Sequence, residues 1–173
     1  MKTTDTMVLF WQTPEVYSNW HVLGFRESDI EFVHSEQYMM WCKAMLFGDA
    51  ATAAAILKET DARTIKYLGR AVKGYQESAW QRVRMPMMVR GCWLKFSQNA
   101  AARAEILATG DRILVEASPY DMLWGIGLTE DDPRALDQQR WLGRNLLGEA
   151  LMEVRRLLRA GEEAPMLEWL LAA

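Results

Sequence analysis

Three acidic residues in two segments of the sequence could take part in one chemical reaction. Glu36 lies in HSEQYMMWCKAMLFGD, while Glu116 and Asp121 lie in LVEASPYDMLWGIGL, where a hydrophobic run gives way to a glycine-flanked bend that also holds Trp124. A loop after a strand commonly carries functional groups on a rigid scaffold. Carboxylates among eight tryptophans, without a nucleotide-binding loop, suit glycosidic bond cleavage, in which a carboxylate stabilises a cation-like sugar and a second group protonates the leaving base. The alternatives are that Asp121 only caps a turn and that Trp124 is a core aromatic.

Glu36 and Lys43 are seven residues apart and therefore share one face of a predicted helix. Met39 and Met40 lie between them on that face, so the helix is apolar nearly all round. Either the two charges lie on a solvated surface, or they point into a covered space. In the second case Glu36 needs a partner, and Lys43 could be that partner.

A cationic region extends from residue 78 to residue 104 and contains five basic side chains and no acidic one. A single arginine there is most simply a solvated surface residue. As a set, and with Trp80 and Trp93 interleaved, the basic residues could hold a phosphate and stack a base. Lys95, between Leu94 and Phe96, needs a counter-charge or a task. The basic residues are Arg82, Arg84, Arg90, Lys95 and Arg103.

Composition excludes several other classes of protein. His21 and His34 lack partners at any spacing typical of a metal site, so we expect no metal and no cofactor. Cys42 and Cys92 have no CxxC spacing and are expected to be free, buried thiols in a reducing cytoplasm. The net charge of −3 argues against a general nucleic-acid or membrane-surface protein. Without an apolar segment long enough for a signal peptide or a membrane span, a cytoplasmic location is expected.

The pattern of hydrophobic residues predicts an α+β fold, mainly helical, with a small β component in one domain that covers residues 1–173. Single glycines and proline delimit the predicted helices, and Asp49 and Asn99 are predicted to cap the helices that follow them. Pro86 is predicted either to kink its helix or to begin a new one. Strands are predicted at 7–11, 30–35 and 112–118, and helices at 35–47, 50–59, 62–68, 78–97, 99–109 and 144–160, with a short final helix near Pro165.

From Phe10 to Leu158 the chain resembles the NADAR family, the NAD- and ADP-ribose-associated, YbiA-like N-glycosidases. The resemblance rests on SNW, HSEQYMMWCKAMLFGD, IKYLGR, LKFSQN, LATGDRILVEASPYDMLWGIG and WLGRNLLGEALMEVR, in that order. It implies cleavage of the bond between ribose C1′ and a nitrogen. The substrate would be either a phosphorylated ribosylamino-pyrimidine intermediate of riboflavin synthesis or ADP-ribose attached to guanine in nucleic acid.

The resemblance also implies which residues act. Glu36, Trp80, Asp121 and Trp124 match the functional positions of the family, and Asn19, Lys43, Lys95 and Asn145 are weaker candidates. Asp121 would then stabilise charge at C1′, and Glu36 would protonate the base or position water. An alternative mechanism has Lys95 or Lys43 attack the opened sugar as a Schiff base. Two other functions stay open: a module that binds ADP-ribose or NAD without cleaving it, and a purely structural helical protein.

Overall fold

The computed structural model describes residues 1–167 and confirms a mainly helical α+β fold. Two 3₁₀ turns, Pro133–Leu136 and Gln138–Arg140, precede the last helix. The strands are β1 (Lys2–Thr3), β2 (Met7–Phe10), β3 (Phe25–Glu27), β4 (Ile30–Phe32) and β5 (Ile113–Glu116). The helices are α1 (Ser35–Leu46), α2 (Ala50–Lys58), α3 (Ala62–Arg70), α4 (Glu77–Gln98), α5 (Ala100–Ala108) and α6 (Leu146–Ala160).

In a three-stranded sheet of order β1-β2-β5, the central strand β2 pairs in parallel with β5. Phe10 is paired with Glu116, so both strands end at the same edge. Each strand is covered on both faces: Val8 and Leu114 belong to the large helical core, while Leu9 and Val115 belong to a smaller core on the other side. This explains why both strands are continuous hydrophobic runs.

The large core is built around α1 and α4, which pack against each other. Tyr38 and Phe96 are almost completely buried in this core. A Cβ at Gly91 of α4 would approach the Tyr38 ring closely, so this glycine lets the two helices come together. The two cysteines are free and buried, as the sequence predicts. Within residues 1–167, no helix combines the length and the apolar character needed to cross a bilayer.

Several local predictions need correction. Asn99 precedes α5, but its side chain donates to the carbonyls of Gly24 and Lys95 and does not cap α5. The helix α4 continues through Pro86 and does not restart there. The short strands β1 and β3 were not predicted, and β3 pairs with β4 in a hairpin. Residues 162–167 around Pro165 are not helical, and the remainder of the predicted final helix lies outside the described residues.

We predict that Gly148→Ala lowers the free energy of unfolding by about 1–3 kcal/mol, the usual cost of overpacking. A Cβ at this position in α6 would overlap the Leu114 carbonyl oxygen of β5 and the Asn145 side chain. Because a strand carbonyl cannot move aside, the helix would have to shift. Gly24→Ala is the matched control, since its new Cβ would lie 3.6 Å from the nearest atom, the Phe32 oxygen. Equal chemical denaturation midpoints for the two variants would contradict this account of the contact between α6 and β5.

Candidate active site

A cavity of about 760 Å³ opens at the edge where β2 and β5 end. Trp11, just after β2, and Glu116, the last residue of β5, both line it. The other walls come from the segment between β2 and β3, from α1 and α3, and from the loop that follows β5. The carboxyl ends of parallel strands commonly meet in such a crevice.

Glu36 lines this cavity from the first turn of α1. Its backbone N–H donates to the Asn19 carbonyl at 3.0 Å, which joins the start of α1 to the opposite wall. The side chain is buried, and its Oε1 has no hydrogen-bond partner within residues 1–167. Burial raises the pKa of Glu36 to about 7, although the Lys66 ammonium and the Trp20 side chain oppose this effect. A carboxyl group in this range can exchange a proton near neutral pH.

Glu116 is a second buried carboxyl group of the site, which the sequence indicated only as a nearby carboxylate. Its Oε2 is covered and has no partner in the described part of the chain. Burial, followed by the negative charges of Asp121 and Glu36, raises the pKa of Glu116 to about 8. The Asn145 side chain fixes the strand end, because its Oδ1 accepts from the Glu116 N–H at 2.9 Å and its Nδ2 donates to the Leu114 carbonyl at 2.9 Å.

Asp121 caps the turn that follows β5 and also lines the cavity. Its Oδ1 accepts the N–H groups of Leu123 and Trp124 at 2.9 and 2.8 Å. Its Oδ2 lies 3.9 Å from the Lys66 ammonium, and the residue lines the cavity. A Cβ at Gly125 would crowd the carbonyls of Glu116 and Asp121, which explains why the bend is flanked by glycine. One carboxylate oxygen therefore holds the loop while the other is available to the cavity.

The aromatic wall differs from the prediction. Trp124 lines the cavity but is also largely buried in the core. Trp80 is not a lining residue: it is buried on α4, with the Lys43 ammonium 5.7 Å from its ring. Trp11 and Trp20 line the cavity in its place. The expected role of Trp80 as a cleft residue is thus corrected to packing behind Lys43.

The phosphate-binding expectation for α4 is also corrected. Arg84 lies 3.6 Å from Glu77, Arg90 lies 2.8 Å from Glu27, and Arg82 is exposed. None of these three arginines is among the cavity-lining residues of the described chain. Both acidic partners lie outside residues 78–104, Glu77 at the start of α4 and Glu27 on β3, which explains why the local excess of positive charge did not mark a binding site.

The cations at the cavity come from α1 and α3. Arg63, Lys66 and Arg70 recur at the i, i+3 and i+7 spacing of one helical face, a signal in the sequence that could have revealed them. Lys43 of α1 lines the cavity too, but its ammonium donates to the Gly69 carbonyl at 2.7 Å instead of forming an ion pair with Glu36. The expected pairing of Glu36 with Lys43 is therefore wrong.

Lys95 lies away from the cavity lining, which corrects its assignment to catalysis. It is almost fully buried, and its ammonium donates to the carbonyls of Val16 and Ser18 at 2.6 and 3.0 Å. Burial lowers the pKa of Lys95 to about 8. The residue fixes the wall that carries Asn19, which does line the cavity as expected. Asn145 is likewise corrected from substrate binding to support of the strand end.

The site thus joins two sets of charged residues that differ in exposure. The more buried carboxyl groups, Glu36, Glu116 and Asp121, form an acidic floor, and the more exposed cations, Arg63, Lys66 and Arg70, form a basic rim. Within residues 1–167 no group of three or more His, Cys, Asp or Glu side chains is arranged to hold a metal ion. What the arrangement offers is a carboxyl group able to exchange a proton, a carboxylate beside it, indole surfaces and cations for an anionic ligand. These are the groups that cleavage of a phosphorylated N-glycoside uses.

Comparisons with known proteins agree with this class of site. The sequence pattern of the NADAR domain matches residues 9–159. An N-glycosidase of Acanthamoeba polyphaga mimivirus is 39% identical over 145 residues, 81% of this chain and 85% of the viral protein. A riboflavin biosynthesis protein of Vibrio vulnificus is 34% identical over 131 residues, 76% of this chain and 31% of that protein.

A solved structure agrees as well. The NMR structure of the Escherichia coli protein YbiA matches with a TM-score of 0.74 and 26% identity, over 92% of this chain and 89% of that one. The fold and the relatives that share it define a glycosyl hydrolase of the N-glycosidase class. The chain belongs to the NADAR family. The expectation of an N-glycosyl hydrolase is confirmed at this level, because relatives that align over most of the chain carry the name N-glycosidase.

We predict that the thermal stability falls as the pH rises from about 5 to 8. The folded chain holds protons on Glu36 and Glu116 up to pH values of about 7 and 8, whereas the unfolded chain releases them near 4.5. Stability from these groups is therefore fully present below pH 4.5 and is lost as the pH rises through their folded values. Glu116→Gln should reduce the drop in Tm between pH 5.5 and 8 by on the order of 5 °C.

Comparison with the parent chain removes the contribution of other titrating groups, among them His34, whose burial lowers its pKa. Glu149→Gln, at an exposed position on α6, is the matched control and should keep the parent's pH dependence. Scanning calorimetry at several pH values measures both. An unchanged pH dependence in Glu116→Gln would show that this carboxyl group is ionised in the folded protein.

Proposed function

We propose that the chain hydrolyses the C1′–N bond of a phosphorylated N-riboside, a small molecule of the riboflavin-intermediate type. The observation that carries this proposal is the division of one cavity into an acidic floor and a basic rim. Phosphate is drawn to Arg63, Lys66 and Arg70, and the uncharged sugar and base are left for the carboxyl groups. The name of the Vibrio relative supports a riboflavin-pathway substrate.

Asp121 is proposed to stabilise the positive charge that develops at C1′ as the base leaves. Its Oδ1 is held by two backbone N–H groups, so the carboxylate cannot rotate away from the reacting sugar. A fixed charge of this kind lowers the barrier without reorganisation during the reaction.

Glu36 is proposed to deliver a proton to the leaving nitrogen or to position the attacking water. Its burial favours the protonated form, which suits the first role, and its pKa of about 7 allows either role near neutral pH. The reaction then breaks the C1′–N bond and forms a C1′–O bond to water, with one water proton replacing the proton donated to the base. Trp20 and Trp124 supply indole surface beside these groups.

We predict that Asp121→Asn lowers kcat by about 10²-fold or more while leaving substrate affinity nearly intact, because it removes the charge and keeps the shape. Glu36→Gln should have a similar effect. Release of the free base is followed by mass spectrometry, separately with a ribosylamino-pyrimidine phosphate and with ADP-ribosylated guanine DNA. Cleavage of the DNA substrate alone would replace the small-molecule assignment, and binding without cleavage of either would indicate a binding module.

The lysine mechanism is checked in the same assay. Borohydride added during turnover would trap a Schiff base as a mass increase on one lysine. Lys95 is expected to stay unmodified, because its ammonium is buried against two carbonyls outside the cavity. An adduct on Lys43 or Lys66, together with an active Asp121→Asn variant, would move the lysine to the centre of the mechanism.

We also predict which cations bind the phosphate. Lys66→Ala and Arg70→Ala should each weaken binding of ribose 5-phosphate about tenfold, since a hydrogen bond to a charged group contributes about 1.5–3 kcal/mol. Arg82→Ala is the matched control, because Arg82 is exposed on α4 and does not line the cavity. Isothermal titration calorimetry measures all three. A tenfold loss in Arg82→Ala, with no effect at Lys66 and Arg70, would return the phosphate site to α4.

A further inference from the structure

The cavity floor holds more buried acceptor atoms than cleavage of the C1′–N bond requires. Besides Glu36, both Glu116 and Asn19 line the cavity. Glu116 Oε2 and Asn19 Oδ1 are covered, and neither has a hydrogen-bond partner among residues 1–167. Buried polar atoms without partners are uncommon in folded proteins, and each one costs free energy comparable to a lost hydrogen bond.

These two atoms therefore select the part of a ligand that can donate hydrogen bonds to them. A phosphate dianion carries no hydrogen to donate and is repelled by the nearby carboxyl groups. The 2- and 3-hydroxyl groups of a ribose each carry one hydrogen and two lone pairs. A protonated Glu116 can both donate to a hydroxyl group and accept from one, and burial raises the pKa of Glu116 to about 8.

The position of Glu116 fits the same part of the sugar. A Cβ at Gly125 would lie 2.8 Å from the Glu116 carbonyl oxygen and 2.9 Å from the Asp121 carbonyl oxygen, so these two cavity-lining residues lie side by side. If Asp121 faces C1′, a group beside it reaches C2′, the next carbon of the ring. The Asn145 side chain accepts from the Glu116 N–H, and the Asn19 carbonyl accepts from the Glu36 N–H, so the backbone that carries each acceptor side chain is held in place.

We propose that Glu116, together with Asn19, binds the vicinal hydroxyl groups of the sugar and makes the enzyme select ribosides over 2′-deoxyribosides. This inference rests on the proposed N-ribosidase function, because it takes the orientation of the sugar from the role of Asp121. It assigns Glu116 to substrate recognition and leaves the breaking of the C1′–N bond to Glu36 and Asp121.

The test measures binding and not turnover. The probes are ribose 5-phosphate and 2-deoxyribose 5-phosphate, titrated into the full chain by calorimetry. We expect the parent chain to bind the ribose compound at least about tenfold more tightly, since a site built to bind a hydroxyl group discriminates against the analogue that lacks it. Glu116→Leu should bring the ratio of the two affinities close to one. Glu116→Gln, whose amide can still donate and accept, should keep part of the ratio, and Glu149→Gln should keep all of it.

Three results would overturn the inference: equal affinity of the parent chain for the two sugars, a full ratio in Glu116→Leu, or no binding of either sugar at millimolar concentration. Circular dichroism establishes that each variant is folded. Should Glu116→Leu fail to fold, Asn19→Leu and Glu116→Gln take its place, with a reduced ratio expected in both. Sugar discrimination without base release would refute the proposed hydrolysis alone, and hydrolysis without discrimination would refute this inference alone.

Discussion

The structure depends on the way the start of α6 is bonded to the loop that follows β5. The N–H groups of Asn145, Leu146 and Leu147 donate to the carbonyls of Gly125, Leu123 and Trp124 at 3.1–3.2 Å. The first amides of a helix have no partner within the helix, and here the loop provides one. The loop in turn gains a rigid support on a buried helix. Asp121 is held in turn by the N–H groups of Leu123 and Trp124 in this loop, so its position does not depend on a ligand.

That support lets the protein retain carboxyl groups in an arrangement that opposes folding. Glu36 and Glu116 each have a covered carboxyl oxygen without a partner in the described residues, and the charge of Glu36 makes Glu116 harder to ionise. An unfavourable local arrangement of this kind persists only where many contacts in the surrounding structure hold it in place. The surroundings here are a sheet buried on both faces and a helix, α1, that packs against α2, α3 and α4. The same packing that stabilises the core thus keeps the carboxyl groups poised for proton exchange.

How much the sequence predicts depends on whether a property is local or comes from distant contacts. The strand at β5, the helices and the cap at Asp49 follow from local patterns and were predicted. Glu36 and Asp121, which the sequence indicated as candidates, line one cavity. Arg84 and Arg90 were misassigned because their partners lie outside the basic stretch: Glu77 begins the same helix, and Glu27 lies on β3, 63 residues before Arg90. The apolar neighbours of Lys95 in the sequence indicated that its ammonium needs partners. No local pattern shows that these partners are two carbonyls almost 80 residues away.

The separation of charge inside the cavity has a consequence for catalysis. A negative charge disfavours ionisation of a nearby carboxyl group, and Asp121 and Glu36 raise the pKa of Glu116 in this way. The Lys66 ammonium opposes the shift at both Glu36 and Glu116, and it lies 3.9 Å from Asp121. Its charge therefore acts on this whole group of residues, and its ion pair is with Asp121, which the loop holds in place. Under the proposed function, the basic rim thus separates the roles of chemically similar carboxyl groups: the carboxylate paired with Lys66 faces the cationic sugar, while Glu36 and Glu116, whose pKa values burial raises, can carry a proton.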